Sequence, residues 1–456
     1  MRSAQADWSA MAREADPLAD RTVAAIVGPW SGATGATGPG MARLGQATRL
    51  MAGWTTNGNL ASWAPAPGSA DADVVAALRA YIDEGSRLPE WTRPADVERA
   101  ETVFMDYGPL SCVLLFCASL PECYVLPQLS EVLHVAGQLE AHTEHRIRQT
   151  AAMVFPVMMK DGLTGASGGG IATVLKVRLI HATIRHLILR GSPREASGRI
   201  EPSAPVKPDA NLYRALLAHG WDVPRQGVPC SQLELAYTLL TFGYVFLRGM
   251  RTLGLPLTRE EEEATLHAWN VAGHVLGIRD ELMAHTMEEA AAMFEGLQAT
   301  ARADPSKPDV RPGLGRALMD TMARSIRLPV IRHLPVPLTR WLVGPDTARE
   351  IGADERVGLL TWVTFRVALA AVRLVDGVVR LVLPRFSLAR MFTRIVGYHL
   401  LTRFLLDQTR PLALPDELLQ PMHGAVAQWH HDAQAPGWVN RMEDRLTTTG
   451  RWSPVP

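Results

Sequence analysis

The sequence predicts an all-α protein, on three observations. From about Phe104 onward, long apolar segments of helical length are separated by Gly and Pro. Alternating β-branched runs bounded by turns, the mark of strands, are scarce. Helix signals also recur. Ser231 opens the segment SQLELAYTLLTFGYVFLRGMRTLG, which runs to Gly254, and Thr258 with Glu261 forms a T-x-x-E capping box ahead of LHAWNVAGHVLG, which stops at Gly277.

Taken in order, the opening hundred residues are weakly patterned. WSGATGATGPG (Trp30 to Gly40) reads as a loop, and WAPAPGSADADV as another followed by a helix start. GLTGASGGG (Gly162 to Gly170) lacks the GK[ST] ending of a phosphate-binding P-loop and follows no strand. It reads as a flexible loop that lets backbone approach a cofactor closely. DPSKPDVRPG (Asp304 to Gly313) is a loop before a second helical block, and no internal repeat is present.

Composition narrows the function classes. The 456 residues carry 46 Lys+Arg against 46 Asp+Glu, so there is no basic excess to neutralise nucleic-acid phosphates. With 47% hydrophobic and 20% charged residues the chain is globular rather than disordered. Of the 46 bases 42 are Arg, the better residue for buried pairing with carboxylates. Cys112, Cys117 and Cys123 share the apolar stretch SCVLLFCASLPEC, whose spacing fits neither a zinc knuckle nor a CxxCH haem attachment; they read as small buried hydrophobes. The N-terminus carries acids and no apolar run, so no secretion signal is expected and the location is read as cytoplasmic. No run of about 18 uncharged apolar residues predicts a membrane span. In the C-terminal stretch Val357 to Leu406, Arg366, Arg373 and Arg380 recur every seventh residue as one polar stripe. That stripe fits packing on the domain or a twin subunit, with peripheral membrane contact as the alternative.

The segment IATVLKVRLIHATIRHLILRG (Ile171 to Gly191) has helical length, a Gly-rich start, a Gly stop and apolar residues on every side, as expected of a buried helix. At about 100° per residue, Arg178, His181 and Arg185 fall within an arc of about 60°. Buried charges cost several kcal/mol unless something anionic meets them. Two readings stand: carboxylates of this chain meet the arginines and the histidine is a core residue, or a bound anionic cofactor does and His181 ligates its metal.

VRLIHATIR resembles the R-x-x-H-x-x-x-R helix of the latex-clearing protein family, b-type haem rubber oxygenases related to the membrane-bound fungal oxygenase of mycophenolic acid biosynthesis. RIRQT (Arg146 to Thr150) is similar to that family's upstream distal segment, GVPCSQLELAYTLLTFGYV to its G-x-P-x-x-Q helix start, and HAWNVAGHVLGI to its W-x-x-x-G-x-x-x-G stretch. The similarity spans about Phe104 to Arg340.

The resemblance implies a globin-like helical core and haem b held by His181, with Arg178 and Arg185 as cofactor-binding arginines. It implies catalytic Arg146 and Thr150 on the distal side and a catalytic base, for which Glu131 is the nearest by spacing and Glu140 and Glu144 are rivals. It also implies dioxygen and an apolar, isoprenoid-like substrate whose C=C bond is cleaved. Where the best-studied rubber oxygenases have a Lys able to cap the iron, this chain has Gln149. The expected organisation is an extension over 1–100, a haem-binding catalytic domain over 101–345 and C-terminal amphipathic helices over 346–456. Two alternatives are a haem sensor or carrier, and a di-iron bundle suggested by the E-x-x-H pair Glu131 and His134. The cluster Asp280, Glu281 and His285 has the wrong spacing for the second such pair. His142, His145, His267 and His274 read as satisfied or surface histidines, and Trp269 with Gly273 and Gly277 as close helix packing.

Overall fold

A computed structural model describes residues 7–30, 38–137, 143–203, 212–255, 257–301, 307–325 and 334–354, with isolated positions besides. The architecture is all-α, as expected. The helices that matter below are α1 (Pro17–Val27), α2 (Ala72–Gly85), α3 (Pro94–Tyr107), α4 (Pro127–Gly137), α5 (Thr143–Met158), α6 (Gly170–Leu189), α7 (Leu212–Ala218), α8 (Gln232–Phe242), α9 (Tyr244–Thr252), α10 (Arg259–Leu276), α11 (Met287–Gln298) and α12 (Arg311–Ser325). Among the described residues the strands amount to one antiparallel pair, Arg199–Ile200 with Trp221–Asp222, in register Arg199 to Asp222.

The helix α6 is the axis of the fold. Fourteen of its twenty residues are buried, which makes it a core helix. It packs against α1, α5, α7 and α10, and α10 packs in turn along α3. The Tyr81 hydroxyl of α2 donates to Leu175 O at 2.8 Å, tying a second element of the N-terminal hundred residues to α6. The boundary drawn near residue 100 is therefore crossed by dense packing. The α1 side chains Leu18, Ala19, Asp20, Thr22, Val23 and Ile26 are all buried.

Local signals explain several helix ends. Ser231 Oγ accepts from the Glu234 amide at the start of α8, and Thr258 and Glu261 cap α10 reciprocally. Gly277 ends α10 with φ +90°, a left-handed conformation that costs glycine least. The segment read as continuous to Gly254 is broken at Gly243 into α8 and α9. The expected Gly191 stop falls one residue early: Arg190 adopts the left-handed conformation at φ 51°. Its guanidinium offsets that strain by donating to Leu217 O and Glu201 O. All four cysteines are free and buried. No single helix among the described residues is long and apolar enough to cross a membrane. Arg366, Arg373 and Arg380 lie outside the described residues.

Candidate functional site

On α6, His181 is flanked one turn away on each side by an arginine, and both arginines are met by carboxylates of this chain. Arg178 Nε and Nη2 donate to Asp16 Oδ2 at 2.5 Å and Oδ1 at 2.8 Å, and Nη1 donates to Val275 O at 3.0 Å. Arg185 Nε donates to Asp20 Oδ1 at 3.0 Å, and its Nη1 to Cys230 O at 2.7 Å and Pro229 O at 3.2 Å. Of the two sequence readings for the arginines, internal pairing is the one the geometry displays. In the sequence Asp16 precedes Pro17, the form of a helix N-cap, and Asp20 lies one turn on, but neither feature points to α6.

His181 differs. Its Nδ1 is buried without a hydrogen-bond partner, and burial, aided by the nearby Arg185 charge, lowers its pKa to about 4. The imidazole is therefore neutral at physiological pH, the form that ligates metals. On the same helix, Arg185 Nη2 stands 3.0 Å from Asp20 Oδ1, and His186 Nδ1 is buried without a hydrogen-bond partner. Burial pushes Glu234 from 4.5 up to about 8. A Glu three residues after a Ser N-cap has the form of an ordinary capping residue, so the sequence carries no sign of this perturbed carboxyl.

Glu131 is not a free carboxylate. His219 Nε2 and Lys307 Nζ reach its Oε1 at 3.0 and 2.9 Å, and Gln226 Nε2 donates to Oε2 at 2.5 Å. Burial works to raise its pKa, but the hydrogen bonds from His219 and Lys307 outweigh it and hold the carboxyl below its usual range. A carboxylate so stabilised is a weakened base. Glu131 is ion-paired with His219 at 3.0 Å, and His134 is exposed. Among the described residues no group of three or more His, Cys, Asp or Glu could hold a metal ion. Asp280 is taken by His274 and Trp91, Glu281 by Arg279, and His267 by the Arg93 amide. Thr150 is half-buried on α5. The side chains of Arg146, Gln149, Glu144, His145, Glu140 and His142 lie outside the described residues.

The glycine-rich loop before α6 is a pinned structure, which corrects the expectation of a flexible one. Asn57 Nδ2 donates to Gly162 O and Gly165 O, while its Oδ1 accepts from the Ile171 and Ala172 amides and so caps α6. Buried Glu101 accepts from the Asp161 and Gly162 amides. The glycines are needed because backbone meets backbone: a Cβ on Gly168 would lie 2.0 Å from Asp161 O, and one on Gly170 2.6 Å from Gly162 O. The close approach is to the loop itself.

Two cavities lie among the described residues. An open cleft of about 500 Å³ has Arg178 in its wall with Glu84, His274, Asp280 and Glu281. A small apolar pocket lies between Phe104, Met158, Phe246 and Trp269. Neither is lined by His181.

Comparison with known proteins places this architecture. The family model described as ER-bound oxygenase mpaB/B'/Rubber oxygenase, catalytic domain, matches residues 123–374, more than half of the sequence, and the chain belongs to that family. A rubber oxygenase from Streptomyces sp. (strain K30) is 24% identical over 314 residues, 68% of this chain; the chain spans 65% of that protein's length. The structure of latex clearing protein LCP in the closed state matches with a TM-score of 0.61 at 21% identity, covering 89% of this chain and 95% of that one. At that identity the likeness bears on the fold, and both folds are helical.

Proposed function

We propose that the protein is a haem b-dependent oxygenase that cleaves C=C bonds of an apolar, isoprenoid-like substrate with dioxygen, and that His181 is the proximal iron ligand. One observation carries the ligand assignment: a neutral imidazole, its Nδ1 buried and unpartnered, sits on the central helix of this chain, which belongs to a family of oxygenase domains. An orphaned buried nitrogen is costly in a folded protein, and a role outside the apoprotein accounts for it. The donor set fits haem, which needs one neutral imidazole from this side. When bound, the haem supplies the oxygen chemistry.

The chain's residues contribute ligation, orientation and exclusion of water. Arg178 and Arg185, spent on Asp16 and Asp20, orient α6 in this reading. By the family resemblance, Arg146 and Thr150 would serve on the dioxygen side, and Gln149 stands where the best-studied members have a lysine. Glu131 serves as a base only after Lys307 and His219 release it. The location is proposed to be cytoplasmic, with C-terminal helices against a membrane as the source of an apolar substrate.

The test is an absorption spectrum of purified wild type beside His181→Ala, with haem supplied to both. A Soret band in wild type and its loss in the variant supports the ligand; full haem retention by the variant removes it. The engagement of Glu131 favours a second reading, a haem carrier without turnover. Release of carbonyl products from a polyisoprenoid by the haem-loaded protein decides against that one.

A further inference from the structure

We propose that Asp16 and Asp20, both outside the family-matched segment 123–374, are positioning residues that set the rotation of α6 and thereby aim His181. The inference rests on His181 being the haem ligand. The two acids are four residues apart, so they project from one side of α1. Their partners, Arg178 and Arg185, are seven residues apart on α6, nearly in line along the helix and separated by about 10 Å of rise. His181 lies between them in sequence and about 40–60° to the side. A single pin would leave the helix free to pivot. Two pins bracketing the imidazole fix both tilt and rotation.

Each pin is anchored on a third element. Asp16 also caps α1, its Oδ1 accepting from the Leu18 and Ala19 amides at 3.2 and 3.4 Å, so it cannot drift without unravelling that helix. Arg178 reaches on to Val275 O of α10, and Arg185 to the carbonyls of Pro229 and Cys230 just before α8. The orientation of α6 is thus read against α1, α8 and α10 together.

Stability alone explains this arrangement poorly. Asp16, Asp20, Arg178 and Arg185 are all buried, and a buried ion pair commonly contributes no more to stability than well-packed apolar residues of the same volume. What apolar packing lacks is directional registry. Outer groups that orient a metal-binding histidine typically govern metal affinity by about 10–100-fold.

The experiment titrates haem b into the full-length apoprotein of wild type, Asp16→Asn/Asp20→Asn, and Glu122→Gln as control. Glu122 is an equally buried carboxylate, bonded to Arg248 and Gln298 and to neither α1 nor α6. The double variant is expected to bind haem about tenfold or more weakly with a displaced Soret band. Glu122→Gln is expected to lower the melting temperature and leave haem affinity and spectrum unmoved. Wild-type affinity and spectrum in the double variant overturn the proposal, as does an equal loss in the control. Should the double variant fail to fold, Asp20→Asn alone takes its place with the same expectation. If wild type itself takes no haem, the functional reading falls. The clasp is then judged by hydrogen exchange in the apoprotein. Faster exchange of α6 amides around His181, relative to global stability, upholds the positioning role; unchanged exchange overturns it.

Discussion

Gly277 and Arg178 are packed so closely that no side chain fits between them. A Cβ on Gly277 would stand 2.7 Å from Arg178 Nε and 2.5 Å from Asp16 Oδ2. The last glycine of the W-x-x-x-G-x-x-x-G stretch thus gives room to an ion pair as well as ending α10 at positive φ. Gly277→Ala is expected to cost about 2–3 kcal/mol, from left-handed strain of about 1–2 kcal/mol plus displacement of the pair. Urea unfolding measures it. The neighbouring Gly273→Ala meets the flexible ends of Leu239 and Ile278, and should cost less.

Glu234 makes stability depend on pH. Its folded pKa, near 8, lies above its unfolded value near 4.5, so the folded state holds a proton that the unfolded chain releases. Stability from this group is complete below about pH 4.5 and is lost as pH rises towards 8. Glu101, which burial pushes to about 7 against the pull of its amide donors, acts in the same direction over a narrower window. Glu234→Gln is expected to gain on wild type as pH rises from 5 to 8, by a few kcal/mol at most, since each pKa unit is about 1.4 kcal/mol. Denaturation midpoints at pH 5, 7 and 9 check the sign; a constant difference would contradict it.

Asn57 is one side chain holding four backbone groups. At about 1 kcal/mol for each net hydrogen bond, Asn57→Ala should lose about 2–4 kcal/mol. Hydrogen exchange should speed first in the segment 162–172, where the bonds end. Asn57→Asp keeps the acceptor for the α6 amides and loses the two donors, so it should fall between.

Lys307 governs Glu131. Lys307→Met removes one of the two groups that hold the carboxyl low, and the pKa of Glu131 is expected to rise, followed by carbon NMR of its carboxyl. If Glu131 acts as a base, turnover should rise at neutral pH in this variant, because a less stabilised carboxylate takes a proton more readily.

The all-α class, the caps at Ser231 and Thr258 and the buried character of α6 were legible because each rests on local pattern. The Arg–His–Arg arc was legible as a geometry, since helical spacing fixes it. Its partners were not. Asp16 and Asp20 lie more than 150 residues upstream in a weakly patterned region, and nothing local to either segment announces the pairing. Asn57 and Glu101 were hidden for the same reason: their targets are backbone atoms of a distant loop. The glycine run misled because a close approach of backbone to backbone and of backbone to a ligand leave the same mark on a sequence.

The sealed cysteines give this protein a built-in reporter. Cys112, Cys117, Cys123 and Cys230 are all interior, and burial pushes the thiols of Cys117 and Cys230 to about 12, so almost no reactive thiolate exists in the native fold. A thiol dye added to the intact molecule should stay colourless, and each label it acquires should record a visit to an open state. Counting labels against time therefore times those openings without any engineered probe.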